Sequence, residues 1–197
     1  FIIVQWADIL FFSLALPGIE KYELIKNYLP ASHLKLISFP FSHGLAASIL
    51  WSTAGFLLFY FVIYKKEKNK LQGSIIIAAA LFSHWIFDLI VHIPDLPLLG
   101  DNSIKLGFGL WRNAPLAFIV ETIFIICGFF IYMKRTTPIS PWGTYGMIGF
   151  LFLLLFSNAF LIFGSFVVLS KTGAYISVMI GYSLFTIIAF WLDTFRT

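Results

Sequence analysis

The chain has 197 residues, of which 60% are hydrophobic and only 11% are charged, and its formal net charge is +4. Soluble domains contain roughly 45–50% apolar and about 25% charged residues, so this composition excludes a soluble enzyme, a nucleic-acid-binding protein, a coiled coil and a disordered chain. The mean hydropathy of +0.93 agrees and indicates an integral membrane protein with several helices.

Long apolar runs predict where the chain crosses the membrane. A helix that crosses the hydrocarbon core needs about 20 apolar residues. Six runs reach or approach this length: 1–16, 43–64, 74–93, 114–133, 142–169 and 174–192. We therefore expect an all-α transmembrane bundle of about six helices, forming one domain over residues 1–197. Because the first run begins inside an apolar stretch, we also expect further residues upstream.

Two long connections separate these runs. In the first, the stretch from Ile19 to Leu29 alternates charged and apolar residues at helical spacing, which predicts a short interfacial helix. The second, residues 94–113, contains Pro94 and Pro97 together with three glycines, which predicts ordered turns.

The basic residues indicate how the chain is oriented. Short connections at 65–70 and 134–138 are rich in lysine and arginine and lie beside apolar runs. The positive-inside rule then predicts that 65–70, 134–141 and the C-terminus are cytoplasmic. Positive charge in this pattern reports membrane orientation, so we expect lipids and no nucleic acid as partners.

Ionisable side chains occur inside the predicted helices, where each costs on the order of 2.5–3.5 kcal/mol on insertion scales. Four runs carry them, and all lie at mid-depth or in the half nearer the long connections. The residues are Asp8, His43, His84, Asp88, His92 and Glu121. Scattered polar residues would not share one depth, so the pattern indicates a common polar site.

The third run carries the most informative pattern. His84, Asp88 and His92 are spaced by four and fall within about 80° of one helix face. One such turn can present imidazole and carboxylate to a divalent metal ion, with zinc, manganese, iron and nickel as candidates. Glu121 or Asp95 could then act as a base or orient a ligand. A hydrogen-bond network between helices is the alternative.

Two further motifs border this pattern. Ser42 and Ser83 each precede a histidine, but neighbouring side chains diverge, so we expect no serine–histidine pair. The segment from Lys105 to Asn113 contains two glycines, a tryptophan and an arginine. It is typical either of an interfacial anchor or of a lid over a substrate.

Several segments resemble one known family. They are Ser-His-Trp-Ile-Phe-Asp-Leu-Ile-Val-His-Ile-Pro-Asp-Leu-Pro-Leu at 83–98, Lys-Leu-Gly-Phe-Gly-Leu-Trp at 105–111, Gln-Trp-Ala-Asp at 5–8 and Pro-Phe-Ser-His-Gly at 40–44. With them, residues 1–125 resemble small bacterial multi-pass proteins known as membrane-bound metal-dependent hydrolases. The family pattern also begins with a Gly-His pair before the first aspartate, which this sequence does not contain.

The resemblance implies a metal site and a hydrolytic reaction. It implies these metal ligands: Asp8, His43, His84 and Asp88. We expect a membrane-embedded hydrolase, in a bacterial inner membrane, acting on a lipid-linked or membrane-delivered ester or phosphoester. His92, Asp95 and Glu121 are then expected to move protons or to order the ligands.

Two other functions compete with hydrolysis. A non-catalytic accessory subunit of a larger membrane-protein complex would use the polar stripe as a structural network. A transporter or proton pathway would need polar groups through both halves of the membrane, and the basic half offers little beyond Asn158.

Overall fold

The computed structural model describes residues 1–165 and 170–197, and the chain is mostly helical (63%). The helices are α1 Trp6–Ala15, α2 Leu45–Leu58, α3 Lys70–Val91, α4 Ala114–Arg135, α5 Met147–Phe163 and α6 Lys171–Asp193. One π-helical turn, Phe59–Ile63, continues α2, and another, Trp142–Gly146, precedes α5. Within the described residues, five helices are long and apolar enough to cross a membrane, which confirms the helical membrane bundle. The predicted end of the fifth run, at 166–169, lies outside the described residues.

The first apolar run forms a shorter helix than we predicted. Helix α1 has ten residues and is therefore about 15 Å long, half the thickness of the hydrocarbon core. It ends where Pro17 and Gly18 follow, with Gly18 at a φ of 83° that suits glycine. The side chains of Phe11 and Phe12 are buried, so α1 is packed inside the protein.

The prediction of an interfacial helix between Ile19 and Leu29 is wrong, because this segment is a strand. Strands β1 (Lys21–Leu29) and β2 (Ser32–Ser38) form an antiparallel hairpin, in which Tyr22 pairs with Leu36 and Leu24 with Leu34. These four apolar side chains belong to one hydrophobic cluster. The two-residue period that aligns them therefore prevailed over the helical spacing.

The second long connection has the ordered turns that we predicted. Strands β3 (Leu96–Pro97) and β4 (Lys105–Leu106) pair, and a 3₁₀ turn follows at Leu110–Arg112. This connection touches the hairpin, since Ser38 Oγ donates to Asp101 Oδ2 at 2.6 Å. The two connections therefore meet at one end of the bundle, which we call the hairpin end.

The opposite end, which we call the basic end, holds the C-terminus. The backbone amide of Thr137 donates to the carbonyl of Thr197 at 2.7 Å, and the reverse bond is 2.9 Å. Arg196 also donates to the backbone carbonyl of Gly143 and to Thr136 Oγ1. These bonds bring the C-terminus against the connection at 134–141.

Candidate metal centre

Three side chains from different parts of the chain converge at the hairpin end. Asp8 comes from α1, His43 from the turn before α2 and His84 from α3, and one ligand atom of each lies within 4.8 Å of the others. Asp8 Oδ1 is 3.3 Å from His43 Nε2 and 3.7 Å from His84 Nε2. Imidazole and carboxylate converging in this way form a possible metal-binding triad.

Asp88 adds a second carboxylate to the triad. It lies one helical turn beyond His84, and its Oδ2 is 3.4 Å from His84 Nε2 and 3.6 Å from His43 Nε2. The Nε2 atoms of both histidines therefore lie between the carboxylates of Asp8 and Asp88. We call these four residues the quartet.

The spacing of these donor atoms suits a metal ion. Two ligand atoms held 2.0–2.2 Å from one ion at angles of 90–110° are roughly 2.8–3.6 Å apart. Three of the four N···O separations, 3.3 to 3.6 Å, lie in the upper part of that range, and the fourth, 3.7 Å between His84 Nε2 and Asp8 Oδ1, lies just beyond it. Two atoms that face the centre, His84 Nε2 and Asp88 Oδ2, are buried without a hydrogen-bond partner among the described residues. A cation between them would satisfy both.

Hydrogen bonds fix which ring nitrogen of each histidine faces the centre. His84 Nδ1 lies 2.8 Å from the carbonyl oxygen of Val4, which can only accept, so the neutral ring carries its proton on Nδ1. His84 Nε2 therefore presents a lone pair to the quartet. In metal-binding histidines, the ring nitrogen that does not bind the metal typically donates such a hydrogen bond and so orients the ring.

His43 is held by its neighbour in the sequence. Its Nδ1 lies 2.7 Å from Ser42 Oγ, so the expectation that these side chains diverge is wrong. Both residues lie in a turn ahead of α2, where helical side-chain directions do not apply. Ser83 follows the expectation, because it lies within α3 and its hydroxyl donates to the carbonyl of Ala80.

A residue that sequence reasoning missed, Glu20, supports this turn. It is fully buried, and its Oε1 accepts the backbone amides of Phe41 at 2.9 Å and Ser42 at 3.0 Å. Burial raises the pKa of the Glu20 carboxyl, and hydrogen bonds from Ser42 and Phe41 offset only part of this effect. Nothing in the local sequence distinguishes Glu20 from the charged residues that follow it.

Glycine is required next to His43. A Cβ on Gly44 would lie 2.5 Å from the carbonyl oxygen of Pro40, closer than side-chain carbons approach backbone oxygens. The compact turn from Pro40 to Gly44 therefore depends on this glycine. The turn directs the His43 side chain toward the carboxylates of Asp8 and Asp88.

His92 and Asp95 lie beside the quartet. His92 follows the last turn of α3, and its Nδ1 lies 3.0 Å from Asp95 Oδ1 while its Nε2 lies 4.0 Å from Asp88 Oδ1. This carboxylate–imidazole pair therefore points at the quartet from outside.

Glu121 bonds to Trp111, which in turn packs on His92. Its Oε1 accepts a hydrogen bond of 3.3 Å from Trp111 Nε1, and the Trp111 ring packs on His92 with centroids 4.6 Å apart. Gly109 anchors the segment, since its amide donates to the carbonyl of His92 at 2.6 Å. The segment from Lys105 to Asn113 thus packs on His92, and Glu121 supports it through Trp111.

Tyr182 is the second residue that sequence reasoning missed. Its hydroxyl donates to Asp8 Oδ2 at 2.5 Å, from the middle of α6. The family resemblance ends near residue 125, so no sequence signal singles out this tyrosine. Comparison with known proteins gives no further guidance, because no family model, curated protein or solved structure matches the chain.

Proposed function

We propose that the protein is a membrane-embedded, metal-dependent hydrolase acting on a lipid-linked or membrane-delivered ester or phosphoester. One observation carries this proposal. The Nε2 atoms of His43 and His84 lie between the carboxylates of Asp8 and Asp88 at distances suited to shared coordination. A structural network of hydrogen bonds would leave fewer buried polar atoms unpaired.

The quartet would hold a divalent ion, and its two nitrogen and two oxygen donors suit zinc. When bound, such an ion polarises a carbonyl or phosphoryl oxygen and makes a water molecule more acidic. Asp8 is the most exposed ligand, with 24% of its side chain accessible, compared with 4% for His43. We therefore infer that substrate approaches from the Asp8 side.

The chain supplies its own group for moving protons. His92 Nε2 faces Asp88, and Asp95 holds the other ring nitrogen. The ring can accept a proton at Nε2 during attack of water on the ester, and the Asp95 carboxylate stabilises the imidazolium that results. The same proton can later pass to the leaving alkoxide.

The site's depth supports a substrate delivered by the membrane. His84 lies within α3, a helix long enough to cross the membrane, and Asp8 lies in the packed helix α1. We propose a bacterial inner-membrane location with 65–70, 134–141 and the C-terminus in the cytoplasm. The quartet would then open toward the opposite side.

Metal analysis of the purified full chain tests this function. We expect about one equivalent of zinc or another divalent ion, lost in Asp88→Asn and retained in the control His33→Ala, which alters a histidine of the hairpin. Cleavage of p-nitrophenyl acyl and phosphoryl esters should follow metal content. If wild-type protein reconstituted with zinc binds less than a tenth of an equivalent, the proposal is wrong.

A further inference from the structure

A large cavity lies beside the quartet. It has a volume of about 980 Å³ and is lined by α4, α5, α6 and the first residues of the chain. Pockets that bind small molecules have volumes of about 300–1,000 Å³. Leu161 and Phe190 line the cavity with 74% and 73% of their surfaces exposed, so it opens sideways toward the lipid.

The cavity reaches the candidate metal centre through Tyr182. This side chain lines the cavity, and its hydroxyl donates to Asp8 Oδ2 at 2.5 Å. From Tyr182 the cavity follows one face of α6 through Thr186 to Asp193. Those twelve residues of helix span roughly 16 Å toward the basic end.

Two residues that line the cavity carry unpaired polar atoms. Asn158 is only 8% exposed and lines the cavity, and its Nδ2 finds no hydrogen-bond acceptor among residues 1–165 and 170–197. The buried Thr186 Oγ1 is also unpaired within that part of the chain. Unpaired polar groups are costly in a bilayer, where no water replaces the missing partner. Rotation of the Asn158 amide by about 180° would turn Nδ2 toward the cavity, where an acceptor oxygen of a bound molecule would satisfy it.

The apolar and polar features have a definite order along the membrane. Asn158 lies five residues before the end of α5, so it belongs to the hairpin half of the bundle, and our placement of it in the basic half is wrong. Tyr182 lies midway along α6. The wall between Tyr182 and the basic end is largely apolar, with Phe129, Phe150 and Phe185. An amphipathic molecule would thus place its polar part near Asn158 and Asp8 and its tail toward Asp193.

We propose that this cavity binds one acyl chain of an ester-linked lipid, with an ester oxygen accepting the Asn158 amide. The position of the scissile ester bond beside Asp8 rests on the proposed hydrolase function, whereas binding of the acyl chain does not. The inference narrows the substrate class from any membrane-delivered ester to an acyl lipid that enters from the side.

Photo-crosslinking of the full chain tests this proposal. The probe is phosphatidylglycerol with a diazirine at the end of one acyl chain, in detergent micelles, with adducts mapped by mass spectrometry. We expect adducts on residues of the wall toward the basic end, such as Phe129, Met147 and Phe185. Adducts confined to outward-facing residues such as Ile180 and Ile187, or crosslinks to a second copy of the chain, would overturn the proposal.

Matched glycine variants test the same site. A Cβ on Gly128 points into open space, and Gly128 lines the cavity, so Gly128→Leu should reduce adduct yield at least fivefold. Gly149 has the same open space but does not line this cavity, so Gly149→Leu should stay within twofold of wild type. Equal yields for the two variants overturn the proposal. If Gly128→Leu does not fold, the wild-type adduct map decides.

Two further arms separate this inference from the proposed function. Asn158→Leu should lower labelling about threefold with the ester-linked probe and leave an ether-linked analogue unchanged. Chelation of metal should leave labelling intact, because the cavity does not need the ion. Labelling without metal-dependent hydrolysis rejects only the hydrolase, and hydrolysis without labelling rejects only the lipid site.

Discussion

Tyr182 donates a hydrogen bond to Asp8 and so joins the last helix to the first. The bond engages Asp8 Oδ2, which leaves Oδ1 directed at the Nε2 atoms of His43 and His84. One carboxylate is therefore oriented by a phenol on one side and presented to two imidazoles on the other. Loss of a hydrogen-bond partner that orients a metal ligand typically lowers the metal affinity 10–100-fold.

Tyr182→Phe should weaken metal binding roughly tenfold, because it removes the donor that orients Asp8. Competition with a chromogenic chelator measures the affinity. The control is Tyr145→Phe, since Tyr145 is 75% exposed and far along the chain from the quartet. Equal affinities for the two variants would contradict the role assigned to Tyr182.

Removing the buried carboxylate of Glu20 should loosen the turn that carries His43. Glu20→Ala leaves the amides of Phe41 and Ser42 without their acceptor, at a cost of about 1–3 kcal/mol. Glu20→Gln keeps an acceptor oxygen at the same position and should lose less. Thermal unfolding in detergent, with and without metal, compares the two, and identical melting temperatures would refute the predicted difference.

The stability of the protein should also depend on pH through Glu20. Burial raises the pKa of this carboxyl in the folded state, so its stabilising contribution is complete below the unfolded value of about 4.5. The contribution is lost as pH rises through the folded value. Between these two pH values, the melting temperature of wild type should therefore fall relative to that of Glu20→Gln. A difference in melting temperature that stays constant with pH would disprove this prediction.

Gly44→Ala should disturb metal binding without touching a ligand. Its Cβ would lie 2.5 Å from the carbonyl oxygen of Pro40, so the turn must shift, at a cost of about 1–3 kcal/mol. Gly100→Ala is the control, because a Cβ there meets nothing within 4 Å. Zinc stoichiometry and melting temperature should fall only in Gly44→Ala, and unchanged values would show that His43 tolerates the shift.

Substitutions at Asp95 and Asp88 should separate proton transfer from metal binding. Asp95→Asn keeps an oxygen near His92 Nδ1 but removes the charge, so hydrolysis should slow by 10²-fold or more while metal content holds. Asp88→Asn removes a charge facing both histidines, so metal should be lost. Elemental analysis beside hydrolysis rates checks both, and metal loss in Asp95→Asn would place that residue among the ligands instead.

Part of the candidate site follows from local sequence alone. His84 and Asp88 were predicted to share one face of a helix, and in α3 their side chains approach within 3.4 Å. The prediction is correct because helical periodicity fixes the relative direction of side chains four residues apart. The convergence of Asp8 and His43 on the same point required the predicted depth in the membrane and the family resemblance as well.

Other features depended on contacts that no local pattern encodes. Glu20 is buried only because the chain returns at Phe41 and Ser42, and Tyr182 matters only because α6 packs against α1. The Ser42–His43 bond arises from a turn whose shape Gly44 and Pro40 set together. Each case pairs residues that are remote in sequence or lie in irregular backbone.

The sequence by itself determined that this is a helical membrane protein with an imidazole and carboxylate stripe on one span. Composition and periodicity are sufficient for these two features, because the free energy of transfer into lipid and the geometry of a helix are set within each segment independently of the others. Only the tertiary structure decided that 21–38 is a hairpin, that α1 is short, and that Glu20 and Tyr182 support the quartet. Those outcomes depend on which surfaces meet, and that is a property of the whole packed chain.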